Sequence, residues 1–218
     1  MEKTITIRGC GSASAAPDWI EITIELTAKN RDYSIAMNEA AQKHARLLAA
    51  LAPLGFRKED VKTTLFNVDT EYDNVADAAG RYVRQFTGYC CNHNLTIDFS
   101  FSMKNLSSVL DRLTTSGAEP EFSIRFTVQD TTALRTKAMV DATANAYRSA
   151  SVLTQASRTT LGSILKIEYG ASDKAAYSRT AYGAEASAKV LLDMSRSMDI
   201  TPDDVLVEDT VTITWEVR

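Results

Sequence analysis

The chain has 218 residues, and its 24 lysines and arginines against 28 aspartates and glutamates give a formal net charge of −4 at pH 7. A chain of this length suits one large domain or two small closely packed ones, and it buries enough apolar surface to fold without metals or disulfides. The acidic balance, and the lack of any long run of lysine and arginine, argue against nucleic acid as a partner.

The three cysteines, Cys10, Cys90 and Cys91, form an odd set that includes an adjacent pair. This usage indicates reduced thiols rather than a disulfide framework. The first residues contain no apolar leader segment, and no apolar run approaches the ~20 residues of a membrane-spanning helix. We therefore predict a cytoplasmic protein without a membrane span.

Alternating apolar and polar residues predict two strands near the N-terminus, over residues 3–8 and 19–27. In the second stretch, isoleucine and leucine form one face while glutamate and threonine form the other, as in a strand buried on one side. Gly9, Gly11 and Pro17 lie between the two stretches and predict a connection rich in turn formers.

Apolar residues at helical spacing predict a helix over residues 33–52. Asp32 or Ser34 can cap its N-terminus, and Pro53 and Gly55 end it.

Two further strands are predicted over residues 61–72 and 81–101, joined by a small, polar loop at 73–80. Together they predict a long β-hairpin. Cys91 and His93 fall in phase with the apolar residues of the second strand.

The next elements are a helix over residues 103–115 capped by Ser102, a strand over 121–128, and a long helix over 131–158 capped by Asp130. Alanine recurs at every fourth position of the long helix. We therefore expect its backbone to pack closely against a sheet or another helix.

The C-terminal part is predicted less completely. Leu161 and Gly162 stop the long helix, a short strand covers 164–169, and a Thr/Val-rich strand covers 210–217. Residues 170–199 form a candidate mobile or inserted segment, in which Val190, Leu191 and Met194 favour a short helix.

Each clear strand has one apolar and one polar face, whereas a parallel sheet covered on both faces shows nearly continuous apolar runs. The pattern predicts an α+β fold in a single domain over residues 1–218. We expect a mostly antiparallel sheet with helices packed on one face, in the order ββαββαβαββ.

Three local patterns suggest chemistry, and each has a plainer interpretation. The Gly9–Ser14 stretch lacks the third glycine and the following helix of a dinucleotide fingerprint, so it predicts a turn between strands. Asp69, Glu71 and Asp73 resemble the start of a calcium loop, but Asn74 stands where that loop needs glycine. A solvated hairpin end is the favoured interpretation of this stretch.

Cys91 and His93 are the third pattern, a thiol and an imidazole on one strand face. A zinc site needs further ligands, and the other histidine, His44, lies on a predicted helix. Packing in the core is favoured over metal binding, redox chemistry or a Cys–His nucleophile, since no orienting third group is evident. No cofactor and no catalytic residue is predicted.

The chain carries a series of landmarks, which are Ile5-x-Ile7-x-Gly9-x-Gly11, Pro17-Asp18, Gly55, Glu59-Asp60-Val61-Lys62-Thr63, Gly88-Tyr89, Phe126, Asp130, Leu161-Gly162-x-Ile164, Ile167-Glu168 and the terminal Thr/Val strand. Taken together, they resemble the SIMPL domain family, a family of unknown function, over about residues 3–217.

The resemblance implies several properties. Bacterial relatives are often exported to the periplasm or envelope, some are linked to oxidative stress, and one periplasmic immunogen assembles into a large ring- or channel-like homo-oligomer. An animal relative is a kinase-associated signalling adaptor. The family provides no established catalytic residues to carry over.

The leading hypothesis is a non-enzymatic, self-associating, stress-related protein of bacterial type. One alternative is a small-molecule or metal-binding protein, or an enzyme, with a pocket near Cys91 and His93. Another is an adaptor that presents its sheet edge or residues 170–199 to a protein partner. For the self-associating hypothesis, Tyr169, Tyr177 and Tyr182 are candidate contacts with a neighbouring subunit.

Overall fold

The computed structural model describes residues 3–76, 82–170, 176–182 and 201–218, which hold three α-helices and eight strands. The strand pairings with a defined register are all antiparallel in these ranges, and the predicted α+β class is confirmed. In chain order the elements are β1 (Thr4–Ala15), β2 (Trp19–Asn30), α1 (Tyr33–Leu51), the short 3-10 helices Ala52–Leu54 and Lys58–Asp60, β3 (Lys62–Ala76), β4 (Tyr82–Ser100), α2 (Met103–Thr115), β5 (Glu121–Thr127), α3 (Thr131–Ala156), β6 (Leu161–Gly170), β7 (Tyr177–Tyr182) and β8 (Val205–Val217).

The chain divides into two compact units. The terminal unit comprises residues 1–18, 126–180 and 202–218, and the central unit comprises residues 19–125 and 181–201. That the whole chain behaves as a single domain stays a prediction.

In the terminal unit, β8 pairs with β1 on one side and with β6 and β7 on the other. The alanine stripe of α3 packs on this sheet, as its spacing predicts. Ala142, Ala146 and Ala150 form one buried cluster with Ile213 and Trp215 of β8. Small side chains on the helix therefore face large ones on the strand.

The prediction of a turn at Gly9 and Gly11 is wrong, because β1 runs through both residues to Ala15. A methyl group on Gly9 would lie 2.7 Å from Cβ of Ala146, and one on Gly11 would lie 2.7 Å from Cα of Ala142. Real side chains essentially never approach so closely, so both glycines serve close packing of α3 on the strand. The prediction failed because it treated both glycines as turn formers, although the two-residue alternation of the strand continues through Gly9 and Gly11.

The predicted stop of the long helix at Leu161 and Gly162 is also wrong. Helix α3 ends at Ala156, where the N–H of Ser157 donates to the carbonyl of Leu153 at 3.0 Å, and Leu161 already begins β6.

β3 and β8 are also longer than predicted. β3 continues to Ala76 through a stretch predicted as loop, and β8 begins at Val205 rather than 210. The alternation of β8 is hidden by Asp209, which occupies an inward position, is buried, and accepts a hydrogen bond from the Tyr169 hydroxyl at 3.3 Å. β7 adds a strand that was not predicted, while the predicted short helix at 190–194 lies outside the described residues.

In the central unit, the strands lie side by side in the order β5, β2, β4, β3. The inward residues of β2, including Ile20, Ile22 and Ile24, are fully buried, as their alternation predicts. Both predicted helix caps are confirmed: Asp32 accepts from the N–H of Ser34 at 2.8 Å, and Ser102 caps α2 in the same way.

None of the helices in the described ranges has both the length and the apolar composition required to cross a membrane.

Candidate functional site

Cys91 and His93 lie on the buried face of β4, as their phase predicts. Cys91 is opposite Ala28 and His93 is opposite Leu26 of β2, and their exposed fractions are 0% and 7%. The structure nevertheless gives the two side chains different surroundings.

Cys91 belongs to an apolar cluster beneath α1, with Ala28, Ala36 and Ala40. Its Sγ lies 3.8 Å from Sδ of Met37. Burial raises the pKa of the Cys91 thiol above its ordinary value. A thiol kept protonated among apolar groups is a poor nucleophile and a poor metal ligand.

His93 is held by Thr63, Phe66 and His44. Its Nε2 lies 2.9 Å from Oγ1 of Thr63, and its ring centroid is 5.1 Å from Phe66 and 4.8 Å from His44. Burial, and then the adjacent His44, lowers the pKa of His93 below 6.5. Burial, and then Lys58, lowers the pKa of His44 in the same direction. The pair therefore favours two neutral imidazoles.

These contacts are those of core packing. Over the described ranges, no three side chains of the His, Cys, Asp and Glu types come together as a metal site would require. A ligand or metal at Cys91 and His93 thus stays a prediction.

A different feature emerges at the other end of β4. β2 pairs with β4 from Ser100 as far as Tyr89, while residues 82–88 of β4 pair with β3. We call residues 71–76 and 82–88 the arm. Within the described residues it is a two-stranded ribbon that continues past the end of β2.

An aromatic row, which we define in spatial order as Tyr33, Tyr89, Phe86 and Tyr72, runs from the start of α1 onto one face of the arm. Consecutive ring centroids along this row are 5.3 to 5.7 Å apart, each pair in edge-to-face geometry. The guanidinium of Arg84 lies 4.2 Å from the Tyr72 ring centroid, within cation–π distance. The row links the start of α1 to the arm.

The comparison with known families decides the classification. The family model described as SIMPL, protein of unknown function (DUF541), matches residues 5–215. The chain belongs to the SIMPL family. It is also 24% identical over 169 residues to the "Uncharacterized protein YggE" of Edwardsiella ictaluri (strain 93-146), a match covering 78% of this chain and 69% of that protein. The resemblance predicted from the sequence landmarks is confirmed.

In this SIMPL protein, large apolar residues are exposed along β3 and the arm. They are Leu65, Phe66, Tyr72, Val75, Tyr82 and Val83. Apolar residues concentrated on one surface mark an interaction site more often than scattered ones do. The sequence signal for this exposed surface was the length of the hairpin. β4 has 19 residues and its neighbour β2 has 12, so part of β4 has no residue of β2 opposite it.

Proposed function

We propose that this SIMPL protein is a non-enzymatic, self-associating protein, in which a second copy adds to the open edge of β3 and covers the arm. The observation that supports this proposal is the combination of an edge strand with the exposed apolar residues beside it. A role in a stress response, implied by the family resemblance, is part of the same proposal.

The edge supplies directional contacts. β3 has 15 residues and lies at the end of the strand order, where its outer N–H and C=O groups face away from β4. Such an edge is completed by main-chain hydrogen bonds when another strand aligns with it. Two copies related by a two-fold axis would each offer the same edge to the other.

The exposed side chains supply the apolar burial. Val75 and Val83 are directly opposite each other on one face of the arm, while Tyr72 and Phe86 are opposite each other on the alternate face. Complete burial of an aliphatic or aromatic side chain contributes about 1.5–3 kcal/mol relative to leaving it exposed. Because each face of the arm carries exposed apolar residues, a second copy could gain part of this contribution from either one.

Light scattering and sedimentation of the purified chain over about a hundredfold range of concentration test the proposal. We expect molecular masses above that of one chain. The double variant Val75→Lys/Val83→Lys should raise the dissociation constant at least about tenfold, since ~1.4 kcal/mol suffices for that change.

The matched control is Val140→Lys/Val152→Lys, which changes two exposed valines of α3 in the same way. This variant should associate as the parent chain does. A strict monomer throughout the range would overturn self-association, and an equal effect of both variants would remove the arm from the interface. A monomer whose β3 edge binds a foreign protein would instead favour the adaptor alternative.

A further inference from the structure

A cavity of about 510 Å³ opens in the central unit, near the end of the β2–β4 pair where Trp19 is opposite Ser100. The lining side chains that matter here are Trp19, Phe56, Lys62, Asp98, Phe99 and Asn105. This volume is typical of small-molecule sites, which combine apolar walls with a few placed polar groups. Neither Cys91 nor His93 lines it.

Aromatic side chains form much of the wall. Phe56 and Phe99 are in edge-to-face contact, with ring centroids 5.7 Å apart. The indole Nε1–H of Trp19 donates to Oδ2 of Asp98 at 2.9 Å, which fixes the orientation of its ring. All three rings are half-buried, so each retains surface that a ligand can cover.

The two carboxylates of the lining, Asp60 and Asp98, differ in whether a neighbouring cation compensates their charge. Asp60 accepts from the backbone N–H of Arg57 at 2.9 Å and pairs with its guanidinium, so the charge of this carboxylate is compensated. Among the described residues, the hydrogen-bond partner of Asp98 is the neutral indole of Trp19 alone. The charge of Asp98 is therefore left for a ligand, whereas the Lys62 ammonium, also in the lining, acts on Asp60.

We propose that this cavity binds a small organic ammonium ion with an apolar body. The ammonium donates to Oδ1 of Asp98 while the body lies among the three aromatic rings. Aromatic faces attract cations as well as apolar groups, which favours this ligand over a neutral one. A carboxylate ligand would face Asp98 across the same space and be repelled.

Calorimetry on the 218-residue chain tests this with a matched series of probes. We expect 2-phenylethylammonium to bind at least about tenfold more tightly than 2-phenylethanol, which has a similar body without the charge. The anion 3-phenylpropionate should bind more weakly than either.

Substitutions at exposed positions separate the site from the rest of the unit. Asp98→Asn keeps an acceptor for Trp19 but removes the charge, so it should lower ammonium affinity about tenfold. Lys62→Met should raise that affinity. Glu25→Gln, which removes an exposed carboxylate of β2 outside the cavity, should leave it unchanged.

The indole N–H resonances of the unmodified chain give a second measurement. Trp19 should shift on addition of 2-phenylethylammonium, while Trp215, which is 1% exposed in the terminal unit, should not. Equal affinity for the ammonium and the alcohol, an unshifted Trp19, or equal losses in Asp98→Asn and Glu25→Gln would each overturn the proposal. None of these results depends on self-association.

Discussion

The two halves of β4 differ sharply although they belong to one strand. Between Tyr89 and Thr96 the strand lies between β2 and β3, as far as Ser100 it stays paired with β2, and its inward side chains are buried. Between Tyr82 and Gly88 it pairs with β3, and apolar residues such as Tyr82 are largely exposed, in that case by 79%. The same kind of side chain therefore contributes to the core in one half and to a surface in the other, because coverage by a third strand and a helix differs.

The largest expected effect comes from truncating the covered half. Ile97 is fully buried opposite Ile22, so Ile97→Ala should lower the free energy of unfolding by about 2–5 kcal/mol through lost burial and the cavity left behind. Val83→Ala, in the arm, should change it by less than about 0.5 kcal/mol. Urea unfolding of both variants, at chain concentrations below those of self-association, measures the contrast, and equal losses would show that the arm is covered within a single chain.

Strand β1 of the terminal unit, which is covered by α3, allows the opposite test, in which a methyl group is added rather than removed. Gly11→Ala adds a methyl group where α3 already contacts the strand, and should destabilise the chain by about 1–3 kcal/mol. Gly170→Ala is the matched control, since a Cβ there meets no atom of the described residues within 4 Å. Thermal unfolding compares them, and a neutral Gly11→Ala would contradict the close packing of β1 and α3.

The smallest expected effect is a loss of folding stability at mildly acidic pH, and it tests the pair formed by His44 of α1 and His93 of β4. The folded-state pKa values of His44 and His93 lie below their ordinary value of 6.5, so the unfolded chain binds protons more readily. The stability contributed by the neutral pair is present above pH 6.5 and is lost as the pH falls below it toward the folded-state values. The nearby charge that acts on His44 is Lys58, which adds to the same trend.

Denaturant midpoints measured from neutral to mildly acidic pH give the slope of folding stability against pH. His44→Gln removes one of the two titrating rings and should reduce the decline. Glu216 and Asp60, whose pKa values are lowered by Arg218 and Arg57 respectively, titrate at more acidic pH and leave this window to the histidines. An unchanged slope in His44→Gln would show that the ring pair is not its source.

Much of the secondary structure was predictable because local patterns encode it. The alternation around Ile22 identified a half-buried strand, and Asp32, Ser102 and Asp130 identified three helix starts. Each signal depends on neighbours in the chain, which a sequence displays directly. The errors arose where an element distant in the sequence determines the role of a residue. The close packing of α3, for example, explains why Gly9 and Gly11 are glycines within a strand.

The candidate sites were less predictable for the same reason. Placing Cys91 and His93 on one face was correct, but phase alone does not reveal that Met37 contacts the first and Thr63 the second. The cavity beside Trp19 joins residues 80 positions apart or more, and no motif connects them.

By itself, the sequence determined the family, the α+β class and the positions of most elements, since periodicity and capping are properties of local chain geometry. Tertiary structure decided which apolar residues are covered, because burial depends on which distant strand or helix lies above them. The division of β4 into a core half and an exposed arm, and the gathering of aromatic rings around Asp98, belong to that second category.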